Sequence, residues 1–480
     1  MTIPKLIELL AEFGGNVVLR SQGGRVVRYR DIVALAQTTA FRATRRRLVI
    51  CSVDNDIGAI QGYLALLAAD AVPMMISPSL ASSSLDILND TYQPDYFLLP
   101  QVDAGRWPKA KPLASLGRYA LFGLAEGDSA SNLPKELALL LCTSGSTGSS
   151  KYVRLSHRNV WSNAAAIADY LALTSDELPV TTLPPSYSYG LSVIHSHIWA
   201  GAGLAVTSKT LFDRDFWCLM RDMRVTSLAG VPYHYEILEK LRFTEMELPN
   251  LRTLTQAGGA ISPVLARRYS THCQDNGMRF FAMYGQTEAS PRMSYVPAER
   301  AFEKAGTIGI PIPGGTLELQ SETGAVLPGA RVTGELVYRG PNVCLGYAEC
   351  RADLSLGDIN CGLLRTGDLA ERDDDGYYTI VGRQNRFIKL FGNRINLLDV
   401  EMQLSDVVAD FACSGHDDLL EVYVEATSAA QAIEIKREMM VRLRVGAQCI
   451  AVYEINALPR NQSGKITYAS LNPENARRLA

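Results

Sequence analysis

Residues 137–157 restrict this chain more than any other stretch. Leu137 to Cys142 is an unbroken apolar run of the kind that forms a buried strand. Small residues follow. Thr143, Ser144, Ser146, Thr147, Ser149 and Ser150 bring hydroxyls, Gly145 and Gly148 let the backbone turn its amides outward, and Lys151 adds a charge. Ser156 then has the place of a helix N-cap, with the helix running to about Tyr170. Amides, hydroxyls and one ammonium on such a loop suit a polyphosphate. The spacing Gly-x-x-Gly-x-x-Lys is not that of the common nucleotide loop, which disfavours a kinase. A flexible Ser/Gly linker is the alternative, but linkers rarely sit tightly between a buried strand and a capped helix.

At 480 residues the chain exceeds one domain at about 100–200 residues each, with ample core for a large α/β unit. A net charge of −3 gives no electrostatic case for nucleic acid or an anionic membrane surface. The nine cysteines are scattered, with no Cys-x-x-Cys pair, which predicts a reducing compartment and no structural zinc. Met1 to Phe13 carries Lys5, Glu8 and Glu12 and reads as an amphipathic helix rather than a secretion signal. The apolar stretch from Tyr63 to Ile76 is broken by Asp70 and Pro73, so no spanning helix is expected. A cytoplasmic protein is the expectation.

Along the chain, residues 1–135 alternate strand and helix signals: Leu48–Val53, a helix capped by Asp56, Ala71–Ile76, then Asp95–Pro100. The pattern predicts a parallel sheet covered by helices. Four later segments each read as a strand entering a turn. Leu183–His195 enters a turn carrying Tyr187, Tyr189 and Gly190, with His195 and His197 at or beyond its end. Val225–Pro232 stops at Pro232, Leu251–Ala260 at the glycines, and Arg279–Glu288 in polar residues. Strands ending this way are where open α/β sheets bind ligands. The two histidines fit core positions; a zinc pair would need a third ligand nearby. Thr287 and Glu288 place a hydroxyl beside a carboxylate, suited to a phosphate and to a hard cation, or to an ordinary turn.

After residue 305 short strands and glycine turns predict a small antiparallel unit, with Asp368 on a glycine turn where it could accept from sugar hydroxyls or cap the turn. A hinge is placed near Asn385. The expected architecture is α/β: a large domain over 1–384 of helix-covered sheets plus the small β unit, then a small mobile α+β domain over 385–480. Lys465 stands on a glycine-containing loop near the end.

Taken in order, these pieces resemble the adenylate-forming superfamily, which includes acyl- and aryl-CoA synthetases, nonribosomal peptide adenylation domains and beetle luciferases. The marks are Thr143–Lys151, Ala257-Gly-Gly-Ala, Tyr284-Gly-Gln-Thr-Glu, Gly334-Glu-Leu, Arg365-Thr-Gly-Asp, Gly382-Arg and Pro459-Arg-Asn-Gln-Ser-Gly-Lys. The resemblance spans residues 45–470 and implies a role at each matching position. Thr143, Ser144, Gly145, Ser146, Thr147, Gly148 and Lys151 would fold over the β- and γ-phosphates of ATP. Gly258, Gly259 and Ala260 would lie beside the adenine and the acid. Tyr284 would stack on adenine, with Gly285 and Gln286 in the same turn. Thr287 would contact the α-phosphate and Glu288 would bind magnesium. Asp368 would accept from the ribose, Arg383 would stand near it, and Lys465 would reach the reacting groups. Gly392 would line a channel for the thiol of CoA or of carrier-protein phosphopantetheine.

The implied activity joins a carboxylic acid to a thiol through an acyl-AMP, with ATP and Mg2+ required. Amino-acid-activating relatives carry an aspartate where Gly190 stands. A buried ammonium without that anion would be costly, so a non-amino aliphatic or aryl acid is expected, lined by Tyr187, Tyr189, Gly190, Val231 and Gly258. The tyrosines could equally be core. Ser150, Tyr152, Asn385, Leu397, Asp399 and Tyr468 depart from the family pattern. Two alternatives stay open: adenylation of an amino acid or other acid without thioester formation, the acyl group passing to an amine or another acceptor, and a nucleotide-binding relative without turnover. The expected partners are a small-molecule acid and, as one of the two thiol sources, an acyl carrier protein.

Overall fold

The computed structural model describes residues 6–78, 80, 82–106, 110–124, 133–142, 151–383, 387–390, 393–404, 408, 410–416, 418–443, 445–460 and 466–480. Its backbone divides into two compact units, one of residues 1–316 and 338–364, the other of 317–337 and 365–480.

The apolar runs seen in the sequence become the centre of the first unit's first sheet. Leu48–Ser52, Val72–Ile76 and Leu137–Cys142 lie side by side and parallel, with Tyr96–Pro100 on the far side of Leu48–Ser52. All five residues of Leu48–Ser52 and of Val72–Ile76 are buried, as expected of strands covered on both faces. The sheet is mixed rather than purely parallel. Tyr152–Ser156 and Gly346–Ala348 extend one edge antiparallel, and Tyr119–Leu124 and Ala110–Leu116 the other. The strand Tyr152–Ser156 was not expected: after the loop, the chain first returns along Leu137–Cys142 and only then enters its helix. Ser156 caps that helix, His157–Tyr170, accepting from the Asn159 amide at 3.1 Å while Asn159 Oδ1 accepts from the Ser156 amide at 2.8 Å. Asp56 caps Ile57–Ala68 as the sequence indicates.

A second sheet in the same unit runs Ile310–Pro311, Arg292–Tyr295, Arg279–Gly285, Thr253–Gln256, Ser227–Gly230, Pro179–Val180, Leu204–Val206, Val17–Ser21 and Val26–Arg28. The last two strands leave the N-terminal alternation to join this sheet, a second departure from the expected arrangement. The main core joins Val49, Cys51, Leu139 and Leu141 of the first sheet to Val18, Leu19, Leu204 and Val206 of the second through buried helices. Ile57–Ala68 is apolar nearly all round, as a helix without a solvent face should be. Among the described residues, no helix is long and apolar enough to cross a membrane.

The segment Ser188–Trp199 is a helix, not the turn that the sequence suggests. Tyr189, Gly190, His195 and His197 all lie within it and are buried. The histidines do occupy core positions: His195 Nε2 lies 2.7 Å from the buried Tyr63 hydroxyl, and His197 Nδ1 lies 2.8 Å from the Val193 carbonyl.

The second unit holds a four-stranded sheet ordered Thr316–Gln320, Thr333–Arg339, Leu363–Arg372 and Tyr378–Arg383. Asp368 therefore lies inside a strand of ten residues rather than on a turn; Gly367, at φ +69°, is the irregular position beside it. The same unit holds the hairpin Phe387–Leu390 and Asn393–Asn396, the helix Leu397–Leu404, and a sheet of Phe411–His416, Leu419–Glu425, Ile450–Ile455 and Arg477–Arg478 backed by Ala429–Leu443. The small β sheet thus groups with the C-terminal segment, whereas the boundary expected at 384–385 falls after it.

Candidate active site

Three parallel strands of the first unit run in register: Gly230 is level with Gln256, and Gln256 with Ala282. Their continuations bring Val231, the turn Ala257–Ala260 and the residues Tyr284–Glu288 to one sheet edge, at the carboxyl ends where such sheets bind ligands. The turn is built for close approach. Gly258 has φ +89°, and a Cβ there would stand 2.4 Å from the Tyr187 hydroxyl and 3.2 Å from Val231. Only glycine meets both conditions. Gly259 and Ala260 are exposed, and the Gly259 carbonyl accepts from Gln256 Nε2 at 2.8 Å.

Thr287 opens a short 3-10 turn directly after the strand Arg279–Gly285. It is buried, and its hydroxyl lies 3.2 Å from that of Ser188 at the start of the helix Ser188–Trp199. That contact ties the helix to the turn. Glu288 is half-buried, and its Oε1 accepts from the Tyr347 hydroxyl at 2.8 Å. Burial first, and then the Glu288 charge, raise the Tyr347 pKa, so the phenol stays a neutral donor. Lys151 places its ammonium 3.9 Å from the centre of the Tyr347 ring and 3.9 Å from a Glu349 carboxylate oxygen. Lys151, which follows the Ser/Thr/Gly loop in sequence, thus stands with Glu288 around one tyrosine. Tyr284 is half-buried beside them, its hydroxyl 3.4 Å from Gln286 Nε2.

Of the residues expected to line the acid, Tyr187 is half-buried, whereas Tyr189 is fully buried with its hydroxyl 3.0 Å from the Thr255 carbonyl and 2.9 Å from its hydroxyl. Gly190 is a packing position: a Cβ there would meet the Pro184 carbonyl at 2.5 Å and that of Leu183 at 2.8 Å. An aspartate could not enter at Gly190 without moving that backbone. Val231, Tyr189, Ala257 and Met283 share one apolar cluster.

In the second unit, Asp368 is 3% exposed and its Oδ1 accepts from Arg383 Nε at 2.6 Å across the strand pair Leu363–Arg372 and Tyr378–Arg383. The Asp368 amide donates to Thr366 Oγ1 at 3.0 Å. Arg365 in the same strand reaches the Glu335 carboxylate and Gln320 Oε1. Thr143, Ser144, Gly145, Ser146, Thr147, Gly148, Asn385, Gly392 and Lys465 lie outside the described residues.

The donor chemistry at Glu288 fits magnesium. This ion takes hard oxygen ligands and is commonly bound by one or two carboxylates plus substrate phosphates and water. Among the described residues no group of three histidines, cysteines or acids could hold a metal by itself. Three residues at this edge escaped the sequence reading: Ser188, Tyr347 and Arg292. Ser188 sits between the two tyrosines that were singled out. Tyr347 follows an ordinary Leu-Gly and comes 59 residues after its partner, with no local signal.

The chain is similar to known proteins along most of its length. It is 30% identical to a feruloyl-CoA synthase of an Amycolatopsis species over 315 residues, 64% of this chain and 63% of that protein. It is 30% identical to a 2-succinylbenzoate–CoA ligase of Bacillus cytotoxicus over 341 residues, 69% of each. The match therefore spans less than two thirds of the length of the feruloyl-CoA synthase. The fold is shared with the O-succinylbenzoate coenzyme A synthetase of Bacillus subtilis solved with AMP: TM-score 0.79, 20% identity, 100% of this chain and 99% of that one. The model of the family described as AMP-binding enzyme matches residues 40–348, well over half of the sequence, and so the chain belongs to the AMP-binding enzyme family, within the adenylate-forming superfamily that its motifs resemble.

Proposed function

We propose that the chain activates a non-amino carboxylic acid as its acyl-AMP, with release of pyrophosphate, and then passes the acyl group to a thiol. The observation that carries this reading is the joined pair at the strand end, Thr287 bonded to Ser188 and Glu288 bonded to Tyr347, with Lys151 alongside. The names of its relatives, feruloyl-CoA synthase and 2-succinylbenzoate–CoA ligase, support CoA as the thiol. Carrier-protein pantetheine is the second candidate.

A carboxylate is a poor electrophile because its leaving group would be oxide. Attack by its oxygen on the α-phosphorus of ATP forms the mixed anhydride and breaks the bond to pyrophosphate. Positioning and charge stabilisation are then the protein's tasks. Thr287 offers a hydroxyl to the α-phosphate, and Lys151 with the loop Thr143–Gly148 offers donors to the leaving pyrophosphate. Glu288 would hold magnesium, which supplies neutralisation of phosphate charge. Tyr347 fixes the Glu288 carboxylate and Tyr284 presents a ring to adenine. Asp368 accepts from the ribose with Arg383 beside it, and Lys465 neutralises charge at the reacting phosphoryl. In the second step the thiol attacks the acyl carbon and AMP leaves. The mobile segment 385–480, the hinge at Asn385 and the thiol channel at Gly392 belong to this proposal. The nine free cysteines accord with a reducing, cytoplasmic setting.

The test is pyrophosphate release from ATP and magnesium over a panel of fatty, aryl and amino acids, with and without CoA. One acid class should release pyrophosphate, CoA should yield its thioester, and Lys465→Ala should lower release by on the order of a hundredfold or more. No release with any acid, or release unchanged in Lys465→Ala, would overturn the reading.

A further inference from the structure

Beneath the strand-end site lies a buried positive charge without a counter-charge. Arg292 begins the strand Arg292–Tyr295, opposite Gly285, and is 3% exposed. Its guanidinium carbon lies 3.9 Å from the centre of the Tyr189 ring. Its Nε is closed off from solvent and has no hydrogen-bond partner. Tyr170 is its other aromatic neighbour: burial raises the pKa of that hydroxyl, and the charge and hydrogen bond of Arg292 pull it back. Both neighbours are neutral phenols, and among the described residues no carboxylate forms an ion pair with Arg292.

Other buried or partly buried arginines of this unit are matched. Arg154 donates to the carbonyls of Leu345, Tyr347, Leu356 and Gly357. Arg351 pairs with Asp95 at 3.0 Å, and Arg46 with Asp70 at 3.0 Å. Arg46 and Arg351 have a carboxylate and Arg154 has carbonyls for its guanidinium, whereas the buried Nε of Arg292 has neither, which is costly for a charged group.

A second unmatched atom faces the same space. His197 uses Nδ1 against the Val193 carbonyl, which leaves Nε2 buried with no partner. Arg292 and His197 line one cavity of about 20 Å³, together with Tyr189, Ser192, Ser196 and Thr255. Such a volume holds about one water. Its remaining walls, among them Ile167, Leu171, Val193 and Met283, are apolar, so the two unmatched nitrogens are what a polar ligand end would meet there. Tyr189 and Ser188 are neighbours in the helix: one faces Arg292, the other bonds Thr287. The contacts to Arg292 and to Thr287 thus start from adjacent residues of one helix.

We propose that Arg292 is the counter-charge for a second carboxylate on the acid substrate, so that the chain takes a compact dicarboxylic acid, one carboxyl reacting at Thr287 and the other held by Arg292. The inference rests on the adenylation reading and narrows its substrate.

The test compares pyrophosphate release with acids matched in chain length: butyrate with succinate, valerate with glutarate, hexanoate with adipate. In the wild type at least one diacid should exceed its monoacid partner about tenfold in kcat/KM, mainly through KM. Arg292→Met should lower that diacid-to-monoacid ratio about a hundredfold, and Arg292→Lys should retain part of it. Wild-type preference for the monoacid in every pair, or a ratio unchanged in Arg292→Met, would overturn the proposal and leave adenylation standing. If Arg292→Met does not fold, the wild-type ratio decides. Release with no acid of either kind would instead overturn the adenylation reading, and this proposal with it.

Discussion

Glu288 owes its orientation to a phenol that the chain brings back from 59 residues away. Tyr347 can donate to it because burial and the carboxylate itself keep the phenol protonated. Replacing the carboxylate removes the proposed magnesium ligand but breaks little structure, since Glu288 is only half-buried. Glu288→Gln should therefore lower pyrophosphate release by about 10²–10³, on the scale of other lost transition-state stabilisers. It should also raise the magnesium concentration required, with folding stability changed by less than about 0.5 kcal/mol. Magnesium titrations and urea melts of the two proteins check this, and an unchanged magnesium requirement would remove Glu288 from the metal site. At this scale the site was half legible. Thr287 and Glu288 stood out because a polar pair directly follows an apolar run. Tyr347 and Arg292 did not, because a tyrosine after a glycine and an arginine after a proline carry no marked pattern. Their meaning lies in what folds against them.

Helix ends were readable where a single residue decides them. Ser156 and Asp56 cap as their sequence positions indicate. Ser156 is buried, and Asn159 also donates to the carbonyls of Pro341 at 2.8 Å and Val343 at 2.6 Å. The cap therefore joins the helix to a distant segment of the same unit. Ser156→Ala should cost about 1 kcal/mol of unfolding free energy by urea denaturation, the usual loss for such a cap. A cost near zero would mean that Asn159 holds the helix start alone. The helix Ser188–Trp199 was misread for two reasons. Tyr187-Ser-Tyr-Gly favours strand and turn over helix. The helix is also buried from Ser188 through Ser192 and again through Ile198, so it lacks the polar face that marks a helix in sequence. The ten-residue strand around Asp368 was hidden by Gly367, which reads as a turn but sits within the sheet at a positive φ.

For the molecule as a whole, the buried His195 and His197 and the half-buried His234 set an acid limit. Desolvation lowers the pKa of His195 to about 3 and of His197 and His234 to about 4. In the unfolded chain the same side chains titrate near 6.5. Above that pH neither state is protonated and the contribution is constant. As pH falls from about 6.5 toward 4, the unfolded chain takes up protons that the folded one refuses, so stability declines. The urea midpoint should be level from pH 8 to 7 and drop clearly by pH 5. A midpoint that stays level to pH 5 would mean these imidazoles gain protons without unfolding.

The sequence by itself determined the alternation of strands and helices, the caps, the apolar strands of the first sheet and the order of the family's motifs. These depend on neighbours a few residues apart, where periodicity and propensity act directly. Only the tertiary structure decided that Val17–Arg28 joins the second sheet, that Tyr152–Ser156 is a strand, that Gly190 faces backbone carbonyls and that Tyr347 holds Glu288. It alone shows Arg292 buried over Tyr189 without a carboxylate. Each of these turns on contacts between residues far apart in the chain. A buried charge has the same letter as an exposed one, and burial is a property of the packed molecule.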